Sequence, residues 1–206
     1  MICGQFTSCV KTLKQEVVIP KKPKEKQKRN KTNRQPKREV TYSSFPCDDK
    51  NRMNKCICFC DSRSKASCTE NGKTYTLDHS KIDVEVLCMH LDGGVIANSD
   101  SKKCDYALFV RDNVDNGYGR AVFVELKGGG TETALKQLLS TLTMPEVIEL
   151  RRDFKRVYGR IVNTSSAPRI QNTSDYMELK ELLLQFGGNL KTEEWDFCEL
   201  YPDLDK

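Results

Sequence analysis

Apolar and polar positions fall into short, regular runs through the second half of the chain. Ile82, Val84, Val86 and Cys88 alternate with Asp83, Glu85 and Leu87, a period of two that predicts a strand. Asp92-Gly93-Gly94 reads as a turn, and Val95-Ile96 begins the return. After a polar turn over 98–103, a second strand is expected from Cys104 to Val110. Asp112-Asn113 and Asp115-Asn116-Gly117 mark the next turn region. Arg120 to Lys127 is a third strand, almost continuously apolar until Glu125, as a central strand covered on both faces should be. Gly128-Gly129-Gly130 breaks it.

The period then changes to that of a helix. Ala134, Leu135, Leu138, Leu139 and Leu142 share one face of a helix predicted over 131–143. Pro145 opens a second short helix toward Phe154, and 155–163 read as a fourth strand ended by Ser165-Ser166-Ala167-Pro168. Ser174 or Asp175 caps a last helix whose apolar set is Met177, Leu179, Leu182, Leu183 and Leu184, and Gly187-Gly188 stops it. The tail from Leu190 to Leu204 is expected to form a strand and a closing segment, with Trp195, Phe197 and Tyr201 packed onto the core. The order strand, strand, strand, helix, strand, helix predicts an α/β domain on a central mixed β-sheet flanked by helices.

Upstream the pattern fades. Val17-Val18-Ile19 is a brief strand at most, ended by Pro20. Residues 20–46 hold four prolines, many Lys and Asn, and too few apolar groups to offset the entropy of ordering. Residues 1–46 are therefore expected to be an N-terminal segment and a basic flexible arm. Residues 47–80 form a cysteine-rich segment, with a turn at Asn71-Gly72 and a short strand from Tyr75 to Asp78. Residues 81–206 form the core domain.

Charge sharpens this division. The 206-residue chain has a formal net charge of +5, but residues 11–39 alone carry twelve Lys or Arg against three Glu, a net +9 that leaves −4 for the rest. A basic arm suits a polyanion, because each phosphate contact releases counterions. A solvated linker explains the same composition. Lys21, Lys22, Lys24, Lys28 and Arg29 of the arm, with Lys102 and Lys103 before the second strand, are the candidate nucleic-acid contacts. With 37% hydrophobic and 31% charged residues the chain has no apolar run of membrane-spanning length, so no membrane partner is expected. Residues 1–6 lack the basic start and apolar stretch of a signal peptide, and a cytoplasmic location is the expectation.

Candidate chemistry begins on the third strand. Alternation puts Glu125 and Lys127 on one face, and burying two such groups without partners costs several kcal/mol. If the second and third strands form a hairpin, Asp105 comes to lie beside Glu125. Two carboxylates and the Leu126 carbonyl then offer a hard divalent cation an oxygen site, and Lys127 is placed to meet a phosphate or the attacking water. Asp, a gap of some twenty residues, Glu-X-Lys at the end of a buried strand and then an amphipathic helix resembles the signature of PD-(D/E)XK nucleases over about residues 80–165. Cys104 stands where the family name has Pro.

The resemblance implies a restriction-endonuclease-like core and Mg²⁺- or Mn²⁺-dependent hydrolysis of phosphodiester bonds, in DNA rather than RNA. It implies Asp105 and Glu125 as metal ligands and Lys127 as the residue assisting the nucleophile. Gln137 matches the glutamine that faces the active site in RecB-type members. A further acidic ligand is expected upstream, with Asp92 and Glu85 as candidates; Asp92 is also a natural turn residue. Many enzymes of this fold pair to cut both strands, so a homodimer is one expected state. The alternatives are a non-catalytic nucleic-acid-binding or adaptor protein with the same fold, and a structural protein in which Glu125 and Lys127 simply pair.

Ten cysteines is a high count. Cys47, Cys56, Cys58, Cys60 and Cys68 include enough thiolates for a four-ligand Zn²⁺ site, but Cys-X-X-Cys pairs are absent, and free thiols fit the spacing better. Only Cys198 follows the Glu-X-Lys strand, so the bracketing cysteines of cluster-bearing RecB-type nucleases are missing.

Overall fold

The computed structural model describes residues 56–96, 102–112, 119–164 and 170–206. Among these residues, nine strands form two sheets. β1 (Ile57–Asp61), β4 (Val84–His90), β5 (Tyr106–Asp112), β6 (Arg120–Leu126), β7 (Arg156–Asn163) and β8 (Leu190–Glu194) make a six-stranded sheet in the order β1-β4-β5-β6-β7-β8. Pairs from β1 to β6 are antiparallel, whereas β6, β7 and β8 run parallel. β2 (Lys65–Glu70), β3 (Lys73–Asp78) and β9 (Asp196–Leu200) form a second sheet in which β3 and β9 are parallel.

The connections follow from these directions. A tight turn suffices between antiparallel strands, but parallel neighbours need a crossover, which here is helical. Helices α1 (Thr131–Leu142) and α2 (Pro145–Arg151) join β6 to β7, and α3 (Ser174–Gln185) joins β7 to β8. Thr173 caps α3: its hydroxyl accepts from the Tyr176 amide, one residue ahead of the cap that the sequence suggests. No helix among the described residues is long and apolar enough to cross a membrane.

The large sheet is a mixed sheet flanked by helices, and the helices lie on one face. Alternate residues of β6 divide the core. Ala121 and Phe123 join Leu135, Leu138, Leu142 and Leu183 on the helical side. Val122, Val124 and Leu126 join Tyr75, Leu77, Phe197 and Tyr201 on the side covered by the small sheet. Burial on both faces explains why β6 reads as an unbroken apolar run. Gly159 of β7 lets the helices come close; a Cβ there would lie 3.0 Å from Leu183 Cδ1 and 3.1 Å from Leu190 Cδ1.

One buried ion pair joins the two sheets. Arg160 of β7 is wholly buried and donates from Nε to Glu199 Oε2 of β9 at 2.7 Å and from Nη2 to Oε1 at 3.0 Å. Lys191 Nζ also donates to Oε1, and the Tyr75 hydroxyl to Oε2. The remaining guanidinium donors reach the Asn189 side chain and backbone carbonyls, so the buried charge is fully engaged.

The cysteine-rich segment does not stand apart. β1 pairs with β4, and β3 pairs with β9, so residues before and after position 80 share both sheets. Trp195 departs from its expected place as well. Phe197 and Tyr201 are buried, but Trp195 is 53% exposed. It is the single residue between β8 and β9, and its φ of 56° swings the chain from one sheet to the other.

Candidate functional site

β5 and β6 are antiparallel, with Tyr106 opposite Val124, so the residue ahead of β5 meets the end of β6. That residue is Asp105. The Leu126 amide donates to Asp105 Oδ2 at 2.7 Å. Asp105 has the parity of Ala107 and Phe109, and Glu125 that of Ala121 and Phe123; all four apolar residues lie in the helix-side core. Both carboxyls therefore sit on the α1 side of the sheet, 7% and 1% exposed. The hairpin geometry expected from the sequence brings them together, although β5 begins at Tyr106 rather than Cys104.

Lys127 follows one residue beyond β6, where its amide donates to the Val162 carbonyl of β7. Its Nζ lies 3.9 Å from Glu125 Oε1 and donates to Gln137 Oε1 at 2.9 Å. Gln137 Nε2 in turn donates to the Lys103 carbonyl at 2.9 Å. One turn on, Thr141 Oγ1 accepts from the Cys104 amide. Helix α1 thus holds both sides of the site: the lysine after β6 and the segment that delivers Asp105. Gly130 makes this possible, since its φ of 77° turns the chain from β6 into α1 within a few residues.

Burial governs the electrostatics. Removal from water, reinforced by the Asp105 charge and only partly offset by Lys127, pushes the Glu125 carboxyl up to about 9. Burial likewise pushes Asp105 up to about 7, opposed by the hydrogen bond from the Leu126 amide, with Glu70 and Asp92 adding repulsion. Glu125 Oε2 is buried and has no hydrogen-bond partner among the described residues. The fold thus holds two acids together at an energetic cost that its own donors do not offset.

The two upstream acidic candidates separate. Asp92 lies at the site end of the sheet, where its Oδ1 is 3.2 Å from Lys103 Nζ and its charge acts on both carboxyls. Glu85 lies at the other end, opposite Arg111 in the strand register and ion-paired with it at 3.5 Å. Glu70 is the acid that sequence reasoning missed. It ends β2 beside the Asn71-Gly72 turn, its charge raises both Asp105 and Glu125, and its Oε2 is buried without a hydrogen-bond partner among the described residues. It belongs to the other sheet, so no strand period links it to the Glu-X-Lys motif.

Of the candidate phosphate contacts, Lys102 is exposed, whereas Lys103 is 4% exposed and turned inward to Asp92. Lys103 therefore contributes to the wall of the site rather than to a solvent-facing surface. Lys21, Lys22, Lys24, Lys28 and Arg29 lie outside the described residues, as does Cys47. Of the other described thiols of the zinc set, Cys58 meets Cys88 through a side-chain hydrogen bond, and Cys68 lies near enough to push the Cys88 thiol further up. A bulge between Ile57 and Phe59 breaks the alternation of β1, Cys56 is buried in the helix-side core, and Cys68 is buried in the core between the sheets.

Among the described residues, no three or more of His, Cys, Asp and Glu are grouped to hold a metal ion. Asp105 and Glu125 are two, and their chemistry fits a hard divalent cation: oxygen donors only, one of them, Glu125 Oε2, buried with no hydrogen-bond partner among the described residues. Mg²⁺ is commonly bound through one or two carboxylates and keeps several waters. Leu126 was expected to offer its carbonyl; its described contact with the site is the hydrogen bond its amide donates to Asp105 Oδ2. No protein-family model, curated protein or solved structure matches the chain.

Proposed function

We propose that the protein is a metal-dependent nuclease of the PD-(D/E)XK type that hydrolyses phosphodiester bonds in DNA. The observation that carries this reading is the pair of buried carboxyls, Asp105 and Glu125, held on one face of adjacent strands with Lys127 beside them. A meander of three antiparallel strands leading through a helix to a parallel strand agrees with a restriction-endonuclease-like core. The +9 charge of residues 11–39 supports a polyanionic substrate.

Asp105 and Glu125 are the residues to hold Mg²⁺ or Mn²⁺, which when bound supplies Lewis acidity and a water of lowered pKa. The chain's own groups do the rest. Gln137 orients the Lys127 ammonium by accepting a hydrogen bond from it, leaving its other N–H donors for a phosphate oxygen or the attacking water. The Leu126 amide fixes Asp105, and α1 fixes the segment before it. A purely structural pairing of Glu125 with Lys127 accounts less well for the geometry, because 3.9 Å is long for such a pair and the second carboxylate oxygen has no hydrogen-bond partner among the described residues.

Incubation of the full chain with plasmid, single-stranded DNA and RNA, with Mg²⁺ or Mn²⁺, tests the reading. DNA cleavage that Glu125→Ala abolishes is the expected result. Absence of cleavage by the wild type, or cleavage untouched by the substitution, would overturn it.

A further inference from the structure

The chain has one tryptophan, and the fold presents it at the same rim as the acidic centre. The Trp195 amide donates to the Asn163 carbonyl at 2.8 Å, and its carbonyl accepts from the Thr74 amide at 3.0 Å. The Lys127 amide donates to the neighbouring carbonyl, that of Val162, at 2.8 Å. The backbones of Lys127 and Trp195 therefore flank consecutive residues of β7. Two strand spacings, about 10 Å, separate them across the sheet.

The indole is placed in a costly way. Bulky residues rarely adopt a φ of 56°, yet Trp195 takes it at the crossing between the sheets, with both its backbone groups tied down. Lys73 Nζ lies 5.5 Å from the ring centroid, and the residue keeps 53% of its surface exposed while its neighbours Phe197 and Tyr201 are buried. An exposed aromatic ring on a pinned backbone, beside a cation, is the arrangement that stacks unpaired bases.

We propose that Trp195 is a stacking platform for an unpaired nucleobase of the strand held at the Asp105/Glu125 centre. This rests on the nuclease reading for the identity of the ligand. It selects a single-stranded or locally opened substrate, because bases within an intact duplex have no free face to offer.

The single tryptophan makes the test direct. The intrinsic fluorescence of the full chain is titrated with an oligothymidylate and with a blunt duplex, in chelator and at about 0.2 M salt to weaken contacts by the basic residues 11–39. Saturating single strand is expected to quench the emission at least about twofold, with the duplex leaving it unchanged. Trp195→Leu, which keeps an apolar cover over Lys73, is expected to weaken single-strand binding about tenfold in an anisotropy titration, the lower range for loss of one stacked base. Unchanged emission at saturation, or equal affinity of Trp195→Leu and wild type, overturns the proposal. The metal-free readout keeps the two ideas apart. Quenching without cleavage by the wild type with Mg²⁺ sinks the nuclease reading alone. Cleavage with an unquenched tryptophan sinks the platform alone.

Discussion

At the scale of single residues, the unusual property of this protein is that Glu125 and Asp105 hold protons where ordinary carboxyls do not. Their folded values, about 9 and about 7, lie above those of an unfolded chain. An acid whose value is raised by folding contributes stability that is complete below the unfolded value, near 4. That contribution is lost progressively as pH rises through the folded value. The metal-free protein should thus lose stability between about pH 4 and 9. A divalent cation that replaces the protons reverses the trend, so the rise in melting temperature with Mn²⁺ should be larger at about pH 8 than at about pH 6. Glu125→Gln, neutral at every pH, should stabilise the metal-free protein at about pH 8 by about 2 kcal/mol and lose most of the Mn²⁺ response. A lower melting temperature together with an intact Mn²⁺ response would contradict this. These two acids were legible in the sequence because alternation and a hairpin suffice to pair them. Glu70 was not, since its approach depends on how two sheets stack.

At the scale of elements, α1 is the organiser. Its apolar stripe, Ala134, Leu135, Leu138 and Leu142, seats it on the sheet, and that seating turns Gln137 toward Lys127. Substitution Gln137→Leu removes the acceptor for the lysine and the donor for the Lys103 carbonyl while keeping helix propensity. A hydrogen bond to a charged group contributes about 1.5–3 kcal/mol. If half of that is realised only in the transition state, kcat should fall roughly four- to twelvefold with KM little changed. Steady-state kinetics on a DNA substrate read this out, and an unaltered kcat would remove Gln137 from the machinery. The stripe and the β6 run are strong signals because each is long and covered by large apolar groups. β2, Lys-Ala-Ser-Cys-Thr-Glu, has only Ala66 and Cys68 facing inward, too little to announce a strand. β1 hides its register behind a bulge, where a period of two fails by construction.

At the scale of the molecule, the two sheets are held by apolar burial and by Arg160 with Glu199. Glu199→Ala would strand the Arg160 charge in the interior, which costs about 3–5 kcal/mol. Arg160→Met with Glu199→Leu removes both charges and should recover much of that loss in a urea unfolding curve. A Glu199→Ala protein as stable as wild type would show that the pair is not what joins the layers. The sequence could not announce this pair, because Arg160 and Glu199 stand in strands of different sheets and only the stacking makes them partners. The same pairing governs the order of assembly. β3 waits for β9, whose residues lie some 120 positions later, and such distant closures come late in folding. On a ribosome, then, the hairpin that carries Glu70 has no finished sheet to join until β9 emerges. Glu70 therefore takes its place beside Asp105 and Glu125 only after β9 has been made, so the nascent chain carries an incomplete acidic pocket until then.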